Sequence, residues 1–307
     1  MDESYVLSKF DDLLKSGRVL YDEKQEVVRR LDEQLEFHFI VSSALAKKPL
    51  RPGSDNEGKG SGASSTDTEG SDISTEGFVI SEMNGGSHLL VANKFSYGKP
   101  HLLLLTRDAS RRQYEPLDQR DIDAMWAALT SAAKHDYMAF YNCGRDAGCS
   151  RLHKHMQLVP KPAHSFADFL DNNDNGDNNW TESVAPKVPF QWFHRRFDVG
   201  AAGHVESAEE VMRTYSTLLE HAAAIQPNIA KQVQSAGAAG ATCAHNVILT
   251  RRGIIVIPRR RASVEPAGGA NALGMLGVIA VASKEEVDDW VQLGLTRVLA
   301  ELGVARY

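Results

Sequence analysis

Residues 143–160 read Cys-Gly-Arg-Asp-Ala-Gly-Cys-Ser-Arg-Leu-His-Lys-His-Met-Gln-Leu-Val-Pro, and the second half of this stretch alternates. His153, His155 and Gln157 fall on one face, Lys154, Met156 and Leu158 on the other. A period of two is the strand period. The stretch therefore predicts a strand bearing two imidazoles and a carboxamide in a row, about 7 Å apart at successive same-face positions. Just upstream, Gly148, Cys149 and Ser150 are small residues whose backbone can come close to a ligand. Successive amides in such a turn form a nest that suits a phosphate.

Two histidines at i and i+2 on a strand are compatible with zinc ligation, with a half-buried structural face, and with catalysis. Gln157 shifts the balance away from metal. A carboxamide is a poor ligand for borderline metals, which prefer imidazole, thiolate or carboxylate, but a good donor to a phosphate oxygen. An imidazole can attack phosphorus without a metal.

Outward from this stretch, Tyr137 to Asn142 predicts a strand entering the motif, and Pro116 to Lys134 a helix with a cap-like start at Leu117-Asp118. His88 to Asn93 and His101 to Thr106 predict a hairpin. Toward the C-terminus, Val188 to Phe197 reads as an aromatic-rich strand and Glu206 to Ile225 as a helix. His245 to Thr250 and Gly253 to Pro258 read as strand–turn–strand, Met275 to Ala282 as an apolar strand, and Lys284 to Leu302 as one closing helix with Val287, Trp290, Val291 and Leu295 inward. Arg259-Arg260-Arg261 reads as a solvated basic edge. At the N-terminus, residues 4–17 and 23–36 carry apolar residues at helical spacing and predict two helices with a stop at Ser16-Gly17. Phe37 to Val41 follows as a short strand.

Residues 52–77 are a tract of Gly, Ser, Asp, Thr and Glu with almost nothing to bury, which predicts a mobile, dispensable insert, and a second Asn-rich loop is expected near 171–180. Strands arrive as hairpins rather than βαβ units, so the fold class is α+β with an antiparallel sheet, in a single domain over 1–307.

Composition is ordinary for a soluble globular protein: 307 residues, 42% hydrophobic, 24% charged, net charge −6. The acidic balance argues against a nucleic-acid partner. Three cysteines without a CxxC pattern suit a reducing compartment, so the cytoplasm is expected, with the nucleus as a second possibility. Asp2 and Glu3 in place of a signal-like run, and the lack of a long apolar run, argue against export and against a membrane. Oligomeric state is not legible.

His153-Lys-His155-Met-Gln157 resembles the histidine-triad signature in the form where glutamine replaces the third histidine, typical of the nucleotidyltransferase branch. The wider frame of Tyr141-Asn142-Cys143, Gly148-Cys149-Ser150, Ser87 to Phe95, His101 to Thr106, His245 to Arg251, Ile254 to Arg259 and Asn271 to Gly277 resembles the fungal-type diadenosine tetraphosphate phosphorylases, also called ATP adenylyltransferases. The resemblance implies a histidine-triad-like antiparallel sheet flanked by helices. It implies phosphorolysis of diadenosine tetraphosphate (Ap4A) to ADP and ATP through an adenylyl-histidine. In it His155 is the nucleophile, with His153 and Gln157 assisting. Asn93, Lys94, Asn142, Gly148, Cys149 and Ser150 would contact substrate, with Lys48 and Lys284 on the remaining phosphates. Partners would be Ap4A, ATP, ADP, AMP and phosphate. Magnesium would accompany the nucleotide, with no metal on protein ligands and no tightly bound cofactor. A dinucleoside polyphosphate hydrolase and a non-catalytic nucleotide-binding module are the competing readings.

Overall fold

The computed structural model describes residues 1–47, 70–132, 134–171, 185–197, 206–225 and 243–306. The strands in chain order are β1 (Glu26–Asp32), β2 (Leu35–Val41), β3 (Val79–Met83), β4 (His88–Ala92), β5 (Leu102–Thr106), β6 (Tyr137–Cys143), β7 (His155–Pro160), β8 (Phe193–Arg196), β9 (His245–Thr250), β10 (Gly253–Pro258), the short pair β11 (Ser263–Val264) and β12 (Gly268–Gly269), and β13 (Val278–Val281). Eight of them form one sheet in the order β3-β4-β5-β7-β6-β9-β10-β8, antiparallel at every pairing. A smaller sheet runs β1-β2-β13, with β13 parallel to β2. The helices are α1 (Glu3–Lys15), α2 (Ser43–Ala46), α3 (Gln119–Ser131), α4 (Ala208–Ala224), α5 (Ala272–Met275), α6 (Lys284–Leu293) and α7 (Leu295–Leu302).

The large sheet is covered on both faces, which is why its strands read as unbroken apolar runs. On one face Leu102, Leu104, Tyr141, Met156, Leu158, Val247 and Leu249 pack under Phe10 of α1, Met125 and Trp126 of α3, and Tyr215 of α4. On the other, Met138, Phe140, Val159, Ile248 and Ile257 meet Phe37 and Phe39 of β2, Ile279 of β13, Trp290 of α6 and Leu299 of α7. Val159, Gln157 and His155 share that second face by strand period. Val159 belongs to the core there, while Gln157 and His155 open onto a cavity. The start of α3 is fixed as the sequence predicts. Asp118 accepts from the Asp121 N–H at 3.0 Å, and Asp121 accepts in return from the Asp118 N–H at 2.9 Å.

Several expectations need correction. Residues 23–36 are not a helix: β1 and β2 pair from Glu26↔Val41 to Asp32↔Leu35. The hairpin turns at Glu33 and Gln34, whose φ values of 47° and 73° are the left-handed pair a tight hairpin needs. The helically spaced Val27 and Leu31 never form a buried stripe and stay 48% and 75% exposed. The closing helix is two helices, broken at Gly294 (φ 83°), and this leaves Val291 exposed. Residues 272–281 are a short helix followed by a short strand. Arg259 is not a solvated edge; it is fully buried, while Arg260 and Arg261 are exposed. Within the low-complexity tract, residues 70–77 are described and none of them is buried, but Ser71 and Asp72 hydrogen-bond Leu152 and His153 in the turn that leads into β7. The remainder of that tract, and most of the loop expected near 171–180, lie outside the described residues.

Candidate active site

β6 and β7 pair only from Tyr137↔Pro160 to Phe140↔Gln157 and then part. Where the next ladder rung would be, the side chain of Gln113 spans the gap. Its amide nitrogen donates to the backbone carbonyls of His155 (3.0 Å) and Asn142 (3.2 Å), and its oxygen accepts the His155 N–H at 2.8 Å. One buried carboxamide thus replaces a strand's worth of backbone pairing and fixes the main chain of His155. Beyond the gap the chain loops through a 3-10 turn at Arg145–Ala147 flanked by Gly144 (φ 87°) and Gly148 (φ 82°). Gly148 has no substitute: besides its left-handed φ, a Cβ there would lie 2.6 Å from the Ala270 carbonyl oxygen.

His155 is buried, and its Nδ1 lies 2.8 Å from the carbonyl oxygen of His153. A carbonyl only accepts, so Nδ1 carries the proton and Nε2 keeps its lone pair. Burial pushes the imidazole down to about 4, so the ring is neutral near pH 7. His153 is not the second open imidazole its position predicts. Its ring is sealed, with Nε2 3.0 Å from Thr106 Oγ1 and 3.2 Å from the Asp108 carbonyl, and Nδ1 2.7 Å from Ser71 Oγ. What it turns toward His155 is its backbone oxygen. The Asp72 carboxylate anchors the same turn by accepting the N–H groups of Leu152 (2.8 Å) and His153 (2.9 Å).

Gln157 faces the cavity beside His101, whose Nε2 is 2.9 Å from Gln157 Oε1. With its oxygen engaged, the carboxamide presents its NH₂ as a donor. Asn93 completes this corner, 3.0 Å from the same imidazole nitrogen. On the opposite side, Asn142 Oδ1 accepts from Asn246 Nδ2 and from the Ala272 N–H, both at 2.9 Å. Asn142 therefore also offers an NH₂. Asn246 is oriented by Arg259 Nη1 at 2.6 Å, and the same guanidinium bonds the Leu302, Arg261 and Ala270 carbonyls. The buried arginine misread as surface ties the turn, the cavity wall and the C-terminal helix together.

Behind the strand, Lys154 is fully buried and pairs with Asp121 at 2.6 Å, donating also to the Pro116 carbonyl. His88 Nε2 reaches the same carboxylate at 3.0 Å. Burial alone would raise Asp121, but the hydrogen bond from His88 and the charge of Lys154 win and hold it near 2.

The cavity has a volume of about 970 Å³. His155, Gln157, Asn93, Lys94, Asn142, Gly148, Cys149 and Ser150 all line it. His153 does not. Lys284 does not either; its ammonium is 2.9 Å from Glu26 on an exposed surface. Lys48 lies outside the described residues, next to Lys47, which does line the cavity. The sequence reading missed His101, Arg151, Asn271 and Asp72. Among the described lining residues, Lys47, Lys94 and Arg151 supply positive charge for a polyanion. A neutral imidazole with an outward lone pair, amide donors on both sides and cations beyond is equipped for in-line attack on phosphorus.

A family model described as the Ap4A phosphorylase N-terminal domain matches residues 73–169, and one described as the ATP adenylyltransferase C-terminal domain matches 186–305. Diadenosine 5',5'''-P1,P4-tetraphosphate phosphorylase 2 of Saccharomyces cerevisiae is 28% identical over 227 residues, which is 69% of this chain and 67% of that protein. Protein APA1 of the same yeast is 26% identical over 226 residues, 67% of this chain and 66% of its own. Each match thus spans about two thirds of the relative's length. The crystal structure of yeast Ap4A phosphorylase Apa2 has the same fold, with a TM-score of 0.77 at 22% identity over 99% of this chain and 97% of that one. Its complex with Ap4A gives a TM-score of 0.73.

Proposed function

Since the chain belongs to the Ap4A phosphorylase and ATP adenylyltransferase family, we propose that it splits diadenosine tetraphosphate with inorganic phosphate into ADP and ATP through an adenylyl group on His155. The observation that carries the covalent step is the neutral His155 ring, held at Nδ1 by the His153 carbonyl with Nε2 left to react. Nε2 attacks the α-phosphorus, the bond from that phosphorus to the bridging oxygen breaks, and ATP departs. Phosphate then attacks the same phosphorus, ADP leaves, and Nε2 regains its lone pair. As the first bond forms, the ring becomes cationic, and the His153 carbonyl stabilises its Nδ1–H. The NH₂ groups of Gln157 and Asn142, with the amides of Gly148 to Ser150, receive the non-bridging oxygens. Lys47, Lys94 and Arg151 neutralise the departing polyphosphate. Magnesium travels on the nucleotide; a lone carboxylate, Asp72, lines the cavity among the described residues, and its oxygens are engaged by backbone amides. AMP, ADP and ATP would bind in the same cavity. The buried thiols Cys143, Cys149 and Cys243 suit a reducing cytoplasm, and no described helix is long and apolar enough to cross a membrane.

The deciding experiment incubates the protein with Ap4A with and without phosphate. ADP and ATP in equal amounts, only when phosphate is present, supports the reading. AMP and ATP without phosphate would make the protein a hydrolase, and no turnover in either case would leave only a binding module.

A further inference from the structure

We propose that Glu36, His38 and His164 form a binding site for a borderline divalent transition-metal ion such as Zn²⁺, separate from the catalytic face. Each residue offers one ligand atom, and the three atoms lie within 4.8 Å of one another. Glu36 and His38 are two apart on β2 and so project from one face of the small sheet. His164 comes from a different part of the chain, four residues after β7 ends. Two imidazoles and a carboxylate select metals of the zinc, nickel and cobalt type over magnesium or calcium, which require oxygen ligands.

The site is built before an ion arrives. His164 Nε2 is 2.7 Å from the backbone carbonyl of Glu36, so Nε2 carries the proton and Nδ1 is the lone pair. This outer hydrogen bond to a carbonyl is what orients metal-binding histidines. The His38 and His164 rings lie side by side, 4.2 Å between centroids and tilted by 30°. His38 is mostly buried, with 13% of its side chain exposed, while the Glu36 side chain is 44% exposed and gives an ion a way in. At present one proton bridges His38 Nε2 and Glu36 Oε1 across 2.7 Å. A divalent ion bound at Nε2 would take that place between the two residues, with the ring proton carried on Nδ1. The His38–Glu36 hydrogen bond explains two of the three residues, but not why a second imidazole from a distant segment is held beside them with its Nδ1 lone pair not used by the bond to the Glu36 carbonyl. Arg29, opposite His38 in the ladder, is the adjacent cation, on a long exposed side chain that can swing into solvent.

The position gives the ion something to hold together. β2 pairs with β13, whose Val278, Ile279 and Ala280 form one wall of the cavity. His164 lies on the segment that leaves the strand carrying His155 and leads to Phe166, which packs on Phe37 at 5.4 Å. A bound ion would clamp the small sheet to the exit of the catalytic strand.

The test uses the metal-stripped full-length chain and Zn²⁺, with Co²⁺ as the absorbing probe. Expected are one Zn²⁺ per chain, a cobalt spectrum with imidazole character, and a rise in Tm with added Zn²⁺. In the His38→Gln and His164→Gln single variants and the double variant, affinity should fall at least about tenfold and the Tm rise should vanish. Turnover without added metal should match the parent in all three, which also shows that they fold. Equal Zn²⁺ affinity in the folded double variant would put the ion elsewhere and overturn the assignment. So would no zinc uptake by the parent, leaving Glu36, His38 and His164 as a stacked structural cluster.

Discussion

The two faces of β7 carry opposite kinds of polarity. On the back, Lys154 is as deeply buried as any residue in the chain, and every charge there is answered: the ammonium by Asp121 and the Pro116 carbonyl, the carboxylate also by His88. On the front, His155 and Gln157 are each held by one atom and leave the other open, Nε2 in one case and the NH₂ in the other. A closed network stabilises; a network with one open valence per residue is ready to react. Mutations should therefore separate stability from activity according to the face they strike.

The largest effect is expected at the front. His155→Ala should lower turnover by about 10³ to 10⁶ while the protein stays folded. Incubation of the parent with α-labelled Ap4A should leave an acid-labile, base-stable label that His155→Ala lacks and His153→Ala retains. Label on His155→Ala would break the comparison, because the open valence would then lie elsewhere. Next comes the back: Asp121→Ala leaves Lys154 charged and unpaired, which should cost about 3–5 kcal/mol of stability by denaturant titration with little change in turnover per folded molecule. A loss of turnover without a loss of stability would mean the back face takes part in the chemistry. Gln157→Ala should reduce turnover by roughly 10² to 10³, with stability near that of the parent.

The smallest effect is in the pH profile. His155 reacts in its unprotonated form, and its value is lowered from 6.5 to about 4 by burial. The acid limb of kcat/KM should accordingly lie near pH 4, and activity should be flat through pH 6.5. The lowered values of His155 and of buried His245 also mean that the unfolded chain takes up protons first on acidification. Stability from this source is fully present above about 6.5 and is lost as pH falls toward 4. An activity limb at 6.5 would indicate a solvated His155.

What was legible in the sequence was local. The alternation from His155 to Leu158, the cap at Asp118, and the hairpin from His88 to Thr106 are patterns a few residues long, and each appears as read. What was not legible depends on partners far along the chain. Ser71 meets His153 across 82 positions, Gln113 meets His155 across 42, and Arg259 meets Leu302 across 43. No composition rule marks Ser71 and Asp72 within a tract of Ser, Gly and Glu as a strap on the site. Alternation put His153 and His155 on one face, but His153 sits just before the strand begins, so its ring turned into a sealed pocket. Lys284 carries the charge a phosphate needs, but charge alone does not say which side of a helix faces the cavity. The β1–β2 hairpin was missed because its turn uses Glu33 and Gln34 rather than Asn-Gly, and its exposed apolar residues imitate a helical stripe.

Gln113 leaves position 113 little room to drift. The span between the parted strands needs a donor for two carbonyls and an acceptor for one N–H on a single planar group. Glutamate would set a carboxylate against two carbonyl oxygens, asparagine is one methylene short, and an apolar residue would strand three backbone groups. A residue that never touches substrate should thus tolerate substitution as poorly as the nucleophile does.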